Sequence, residues 1–251
     1  MVFYLMSRHN PTPFFSGCFK IMSWNKILFF HLPKTGGLSI KDAFVKVYNH
    51  VFLESYTFLA PKSFYMFYQN TLKTKDQDPY KFIYIHEWTT QNPFSFIHPR
   101  KDDFCFTIIR HPINLFYSLY YYIKQGGSEE SPTPILHGLP HQMIKSSQSI
   151  KQYIDWVLDY GYIIKDCILP IGYYNNDILS KMTYVGIYED MQTTISVLDT
   201  SLGIKLDLPH LNVGKYDKDY TYRRAELEEF FNNEIQLYDY YAQKPRTTFV
   251  V

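Results

Sequence analysis

A chain of 251 residues is long enough for a single α/β unit with a full core. Its 25 basic against 24 acidic residues leave a net charge of +1, which gives no argument for nucleic acid or another polyanion as a bulk partner. Three cysteines, Cys18, Cys105 and Cys167, lack metal-ligand spacing, and so sparse and odd a set suits a reducing compartment.

The first 24 residues begin MVFYLMSRHN, too short and too soon polar for a signal anchor, with Pro11 and Pro13 breaking regular structure. No stretch of the chain is apolar for long enough to span a bilayer. We therefore expect a lead-in over 1–24, one domain over 25–251, and a cytoplasmic location. The segment Lys26–Leu32, KILFFHL, reads as a strand over about 26–31 and runs into Pro33-Lys34-Thr35-Gly36-Gly37-Leu38-Ser39. A helix is expected over 38–48. A glycine turn between a strand and a helix points backbone N–H groups and the positive end of a helix dipole at an anion. Lys34 adds a mobile cation and Ser39 a hydroxyl. The lysine precedes the glycines, so this is not a Walker A loop.

An aromatic-rich helix is expected over 61–72, and a strand over 81–86, KFIYIH, ending at His86 with Glu87 behind it. The next buried strand, over 104–110, delivers Arg110 at its carboxyl end. Pro112 then suits the first turn of a helix over 112–124, which carries Ser118. Residues 126–141 read as a loop. Helices near 149–159 and 190–201 flank a strand near 183–188, and a long helix is expected over 222–242. Alternating strands and helices predict an α/β fold, a P-loop-like three-layer sandwich around a central, largely parallel sheet. In such sheets ligands bind outside the carboxyl ends of the strands, where both cationic motifs fall. The 24 tyrosines and 20 phenylalanines supply the core and leave rings for a binding groove.

HLPKTGGLS, followed by a strand and RHPINLFYSLYYY, resembles the sulfotransferases that use 3′-phosphoadenosine 5′-phosphosulfate, most of all the branch of heparan- and chondroitin-sulfate 2-O-sulfotransferases. The resemblance covers about 26–241, and its specific part is these two motifs. It implies that Lys34, Thr35, Gly36, Gly37, Leu38 and Ser39 bind the 5′-phosphosulfate, and that Arg110 and Ser118 bind the 3′-phosphate. His111 stands where the family usually has Asp. Tyr184–Met191 is similar to the family's late strand and helix start. Pro209–Asn212 is similar to the loop that closes over the nucleotide, which brings His210, Asn212 and Lys215 into the expected site. Sulfuryl transfer needs a base for the acceptor hydroxyl and a charge on the leaving bridge oxygen. Lys34 suits the second task and His86 the first. In the resembled branch a Gly-His pair ends this strand, and Ile85 replaces the glycine here. Glu87 is the alternative base, because other sulfotransferase branches use a glutamate. No metal is required. The expected acceptor is a hydroxyl, on a glycan by resemblance, though a simple sugar, a lipid-linked sugar or a phenolic small molecule fits as well; Arg100, Lys101, Lys124 and Lys145 are candidates for a basic acceptor cleft or are plain surface cations. His31 and His111 are expected to position loops, and His98, His137 and His141 to lie in loops. Two other readings stay open: a P-loop-type kinase using ATP, and a nucleotide-binding protein without chemistry.

Overall fold

Two apolar runs make the middle of a five-stranded parallel sheet. β1 (Ile27–His31) and β4 (Phe104–Ile109) are buried at every position, as strands covered on both faces must be. They pair side by side, Ile27 opposite Phe104 and Phe30 opposite Thr107, and the Thr107 hydroxyl donates to the Phe30 carbonyl at 2.6 Å. β3 (Phe82–His86) flanks β1, with β2 (Phe52–Tyr56) outside it, and β5 (Tyr184–Ile187) lies outside β4. The architecture is a computed structural model, which describes residues 24–48, 52–56, 81–86, 99–126, 139–169, 174–208 and 220–244.

The period-two alternation of the strands sends their side chains to two different layers. Phe29, Phe82, Phe104 and Phe106 face α1 (Gly37–Tyr48) and α6 (Met191–Leu202), where they meet Ile40, Phe44 and Leu198. Rings stack there: Phe44 on Phe82 at 4.4 Å and Phe29 on Phe106 at 4.5 Å between centroids. Leu28, Phe30, Ile83 and Ile85 face the other way, toward Ile178 of α5 (Asn176–Leu179). On that side Ile109 and Ile187 join a core with α2 (Pro112–Lys124), α3 (Leu139–Ser146), α4 (Ile150–Ile168), α7 (Arg224–Phe230) and α8 (Asn232–Gln243). The expected three-layer α/β sandwich is thus the fold.

The strand order is β2-β3-β1-β4-β5. From β1 the chain leaves toward β2 on one side; from β4 it leaves toward β5 on the other. The direction of winding therefore reverses between β1 and β4, which opens a crevice at their carboxyl ends.

Several elements differ from the sequence expectation. β2 was not anticipated: FLESY is a short edge strand whose Glu54 and Ser55 interrupt the apolar run. Part of the expected loop over 126–141 is the start of α3, and His141 lies on that helix. α4 continues nine residues past the expected end at 159, straight through Gly161. A Cβ at that glycine would press on the Phe230 ring at 2.8 Å, so its absence lets α7 pack tightly there. The final helix is two. Phe231 leaves helical geometry (φ −100°, ψ 20°), because Phe230 and Phe231 are both in the core, edge to face with centroids 4.8 Å apart. Trp24, assigned to the lead-in, packs on Phe104 and donates to the Ser201 carbonyl at 3.0 Å. The expected helix over 61–72 lies outside the described residues.

Candidate functional site

The loop after β1 is built around two left-handed residues. Lys34 has φ +63° and Gly36 φ +78°. For glycine that conformation is free; for lysine it costs about 1–2 kcal/mol, a strain typical of functional turns. Between them Thr35 is fully buried, and its hydroxyl donates to the Leu32 carbonyl at 2.6 Å. That hydroxyl closes the turn. Gly37 answers a different demand: a Cβ there would fall inside the His31 ring. The ring itself is fixed, its Nδ1 bonded to the Tyr84 hydroxyl at 2.6 Å.

α1 then begins, with the Ile40 N–H donating to the Gly36 carbonyl at 3.1 Å. The N–H groups of Gly37, Leu38 and Ser39 precede that first helical bond and have no acceptor within the helix. No acidic residue occupies the first turn. Leu38 is 48% exposed and Ser39 half-buried. This helix end offers an anion what the sequence motif promised.

Arg110 arrives from the end of β4. Its Nη1 donates to the Lys34 carbonyl at 2.9 Å, so the two cationic motifs meet at the reversal of the sheet. Each cation lies on a tyrosine. The Arg110 guanidinium sits 4.4 Å from the Tyr188 ring centre, and Lys34 Nζ 4.0 Å from that of Tyr122. Burial lowers the Lys34 pKa to about 8, and the Arg110 charge adds to the effect. Ser118 is buried in α2, one helical turn before Tyr122 and therefore on the same face.

The start of α2 is closed. Pro112 occupies its first turn as expected, and the N-cap residue His111 makes no side-chain cap. A carboxylate stands beside it instead, that of Glu189, in the turn after β5. This carboxylate accepts the His111 N–H at 3.1 and 3.2 Å and Asn114 Nδ2 at 2.8 Å. The Tyr238 hydroxyl donates to it at 3.0 Å, and the Tyr174 hydroxyl donates to the Arg110 carbonyl. Burial lowers the His111 pKa, with Arg224 pushing the same way.

β3 brings His86 opposite His31 in the register of the sheet. Its backbone therefore stands one strand from the loop; its side chain lies outside the described residues, as do Glu87, His210, Asn212, Lys215, His98 and His137. Three of the four cations considered for an acceptor cleft are placed elsewhere. Arg100 and Lys101 precede β4 and so sit at the opposite edge of the sheet, a strand length or about 20 Å away. Lys124 Nζ is held by the carbonyls of Lys145 and Ser147 at the end of α3.

Tyr122, Tyr188 and Glu189 went unassigned in the sequence. Tyr122 was derivable, four residues on from Ser118. Tyr188 and Glu189 stand inside the stretch Tyr184–Met191 already noted for its family likeness, but only the sheet order brings them to Arg110. Among the described residues no group of three His, Cys, Asp or Glu side chains could hold a metal ion, and no helix is long and apolar enough to cross a membrane. No family model matches the chain, and no curated protein matches it significantly.

Proposed function

We propose that the chain is a sulfotransferase that moves the sulfuryl group of 3′-phosphoadenosine 5′-phosphosulfate to an acceptor hydroxyl, the acceptor being a carbohydrate. The observation that carries the reading is the hydrogen bond from Arg110 to the Lys34 carbonyl. It joins two cationic strand ends, 76 residues apart in the chain, at the one crevice where an α/β sheet of this order takes a ligand. A donor carrying phosphate at both its 5′ and 3′ positions calls for two such receptors. The loop Lys34–Ser39 offers one, through open N–H groups and an ammonium. Arg110, with Ser118 further along α2, offers the other.

The nucleotide, when bound, supplies the activated sulfuryl group. The protein binds its phosphates and sets Lys34 to meet charge on the bridge oxygen as it leaves. A desolvated lysine with pKa near 8 gains more from an anionic partner than a solvated one would. His86, at the end of the neighbouring strand, is the proposed base, with Glu87 next in line.

Calorimetric titration with adenosine 3′,5′-bisphosphate, ATP and ADP tests the proposal. Binding of the bisphosphate without magnesium, and tighter than ATP, is expected. Magnesium-dependent preference for ATP would replace the reading with a kinase, in which Ser39 would meet the metal. Bisphosphate binding with no turnover on any hydroxyl acceptor would leave a nucleotide-binding protein.

A further inference from the structure

We infer that Glu189 is a positioning residue, whose carboxylate holds the end of β4 so that Arg110 stays over the Lys34 loop. The inference rests on the reading of Arg110 as a nucleotide-binding residue and goes beyond it by naming what keeps Arg110 in place.

Three donors from three elements converge on this one carboxylate: the His111 N–H, Asn114 Nδ2 of α2, and the Tyr238 hydroxyl of α8. The residue it grips is the immediate neighbour of Arg110. On the chain side before Glu189, Tyr188 lays its ring on the Arg110 guanidinium and stands within 3.4 Å of where a Gly36 Cβ would be. On the side after it, Asp190 accepts the Thr193 N–H at 3.3 Å and so caps α6. The turn is thus anchored by its own helix and reaches across to β4. The Tyr174 hydroxyl takes the Arg110 carbonyl, so residues 110 and 111 are both fixed by their backbones, and the guanidinium alone is left to reach the loop.

A carboxylate suits this task where an amide does not. Two charged oxygens accept from three donors, whereas glutamine keeps one neutral acceptor oxygen for the His111 N–H and Asn114 and can only donate to the Tyr238 hydroxyl, so the grip on His111 loses its charge assistance. The negative charge also has a second effect. It lies on the α2 N-terminus, another of the helix ends facing this edge of the sheet, and repels an anion from it. A phosphate is thereby directed to the Arg110 side chain and the Lys34 loop.

The test is a double-mutant cycle on nucleotide affinity, read by calorimetry. Arg110→Ala, Glu189→Gln and the double variant are titrated with adenosine 3′,5′-bisphosphate, and with ATP if that binds more tightly. Glu189→Gln should weaken binding about tenfold with Arg110 present and less than about twofold in the Arg110→Ala background. Asp190→Ala is the control: it removes a helix cap in the same turn, and should lower the melting temperature while affinity stays within about twofold. If Glu189→Gln does not fold, Asn114→Ala and Tyr238→Phe, which each remove one of the carboxylate's donors, take its place in the cycle. An additive cycle, or an equal affinity loss in Asp190→Ala, overturns the inference. Wild-type protein that binds neither nucleotide overturns the functional reading and this inference together; tight wild-type binding with an additive cycle overturns this inference alone.

Discussion

Two strand–turn–helix junctions stand side by side at the carboxyl edge of the sheet. Between β1 and α1 the chain turns on two left-handed residues, Lys34 and Gly36, and starts a helix with no acidic side chain in its first turn. Between β4 and α2 it turns on two residues, Arg110 and His111, starts the helix with Pro112, and has a carboxylate from a distant turn set on its N-terminus. A helix N-terminus attracts anions wherever it occurs. One junction leaves that attraction open to a ligand, and the other cancels it internally. The second then contributes only the arginine at its mouth. The difference separates a receptor from a strut, and it assigns different losses to their variants.

The largest effect is expected from neither junction but from the strand beside them. His86→Ala should lower kcat by about 10²–10⁴-fold while the Kd of adenosine 3′,5′-bisphosphate changes only a few-fold. Normal turnover in His86→Ala with inactive Glu87→Gln would hand the base to the carboxylate. In the receptor, Lys34→Ala should cost about 10²–10³-fold in kcat, more than it costs in affinity. Equal losses in both would reduce Lys34 to a binding residue. In the strut, Arg110→Ala should show the reverse pattern, with affinity down about 10–100-fold for the loss of a charge-assisted contact worth about 1.5–3 kcal/mol and kcat at saturation little changed.

Protons distinguish the two cations as well. Lys34 in the free protein ionises near pH 8, and a bound phosphate raises that value. Bisphosphate binding at pH 8–9 should therefore take up protons, and affinity should fall by at most about tenfold per pH unit above 8. Calorimetry in two buffers of different ionisation enthalpy measures this, and Arg110→Ala, which keeps Lys34 but removes a charge that lowers its pKa, should retain the uptake at a somewhat higher pH. The smallest effect is on stability. Lys34→Gly removes the left-handed strain and a desolvated charge, and loses the contact with Tyr122, for a net gain of about 1 kcal/mol. The melting temperature should rise by about 2–4 °C at pH 7. With its folded pKa below the unfolded value of 10.5, Lys34 binds fewer protons in the folded protein between pH 8 and 10.5. Wild-type stability therefore gains on the variant as pH rises through that window. A constant difference between the two proteins across pH 7–10 would show that the lysine's charge is not desolvated.

The sheet was legible where burial on both faces left the strands almost wholly apolar, with only His31 and Thr107 polar within β1 and β4. KILFFHL and DFCFTIIR could be nothing else, and the turn residues behind the first named themselves. β2 escaped because an edge strand carries polar residues through its middle, as Glu54 and Ser55 do here. The break at Phe231 escaped because helical periodicity continues across it; two adjacent core phenylalanines settle it instead. In the site, what could be read was what is local: Lys34 to Ser39, and Arg110 with Ser118 two turns on. The partners that fix these residues are distant. Glu189 meets His111 across 78 residues and Tyr174 meets Arg110 across 64. Such meetings follow from β5 lying beside β4, which no local pattern announces. The place of the basic residues before β4 was closed to sequence reading for the same reason, since only the strand direction tells which edge of the sheet they occupy.

The pairing of His31 with His86 sets a scale for whatever this edge of the sheet does. Backbones in neighbouring strands are separated by about 4.8 Å, and the His31 ring is wedged between Tyr84 and Gly37, so neither strand can slide against the loop. Any group at the end of β3 is one lattice step from the end of β1, and any group at the end of β2 is two. On the proposed reading, a descendant of this chain that serves a bulkier or more remote hydroxyl cannot widen the gap by degrees. It must change strand, or change the length of the side chain at position 86.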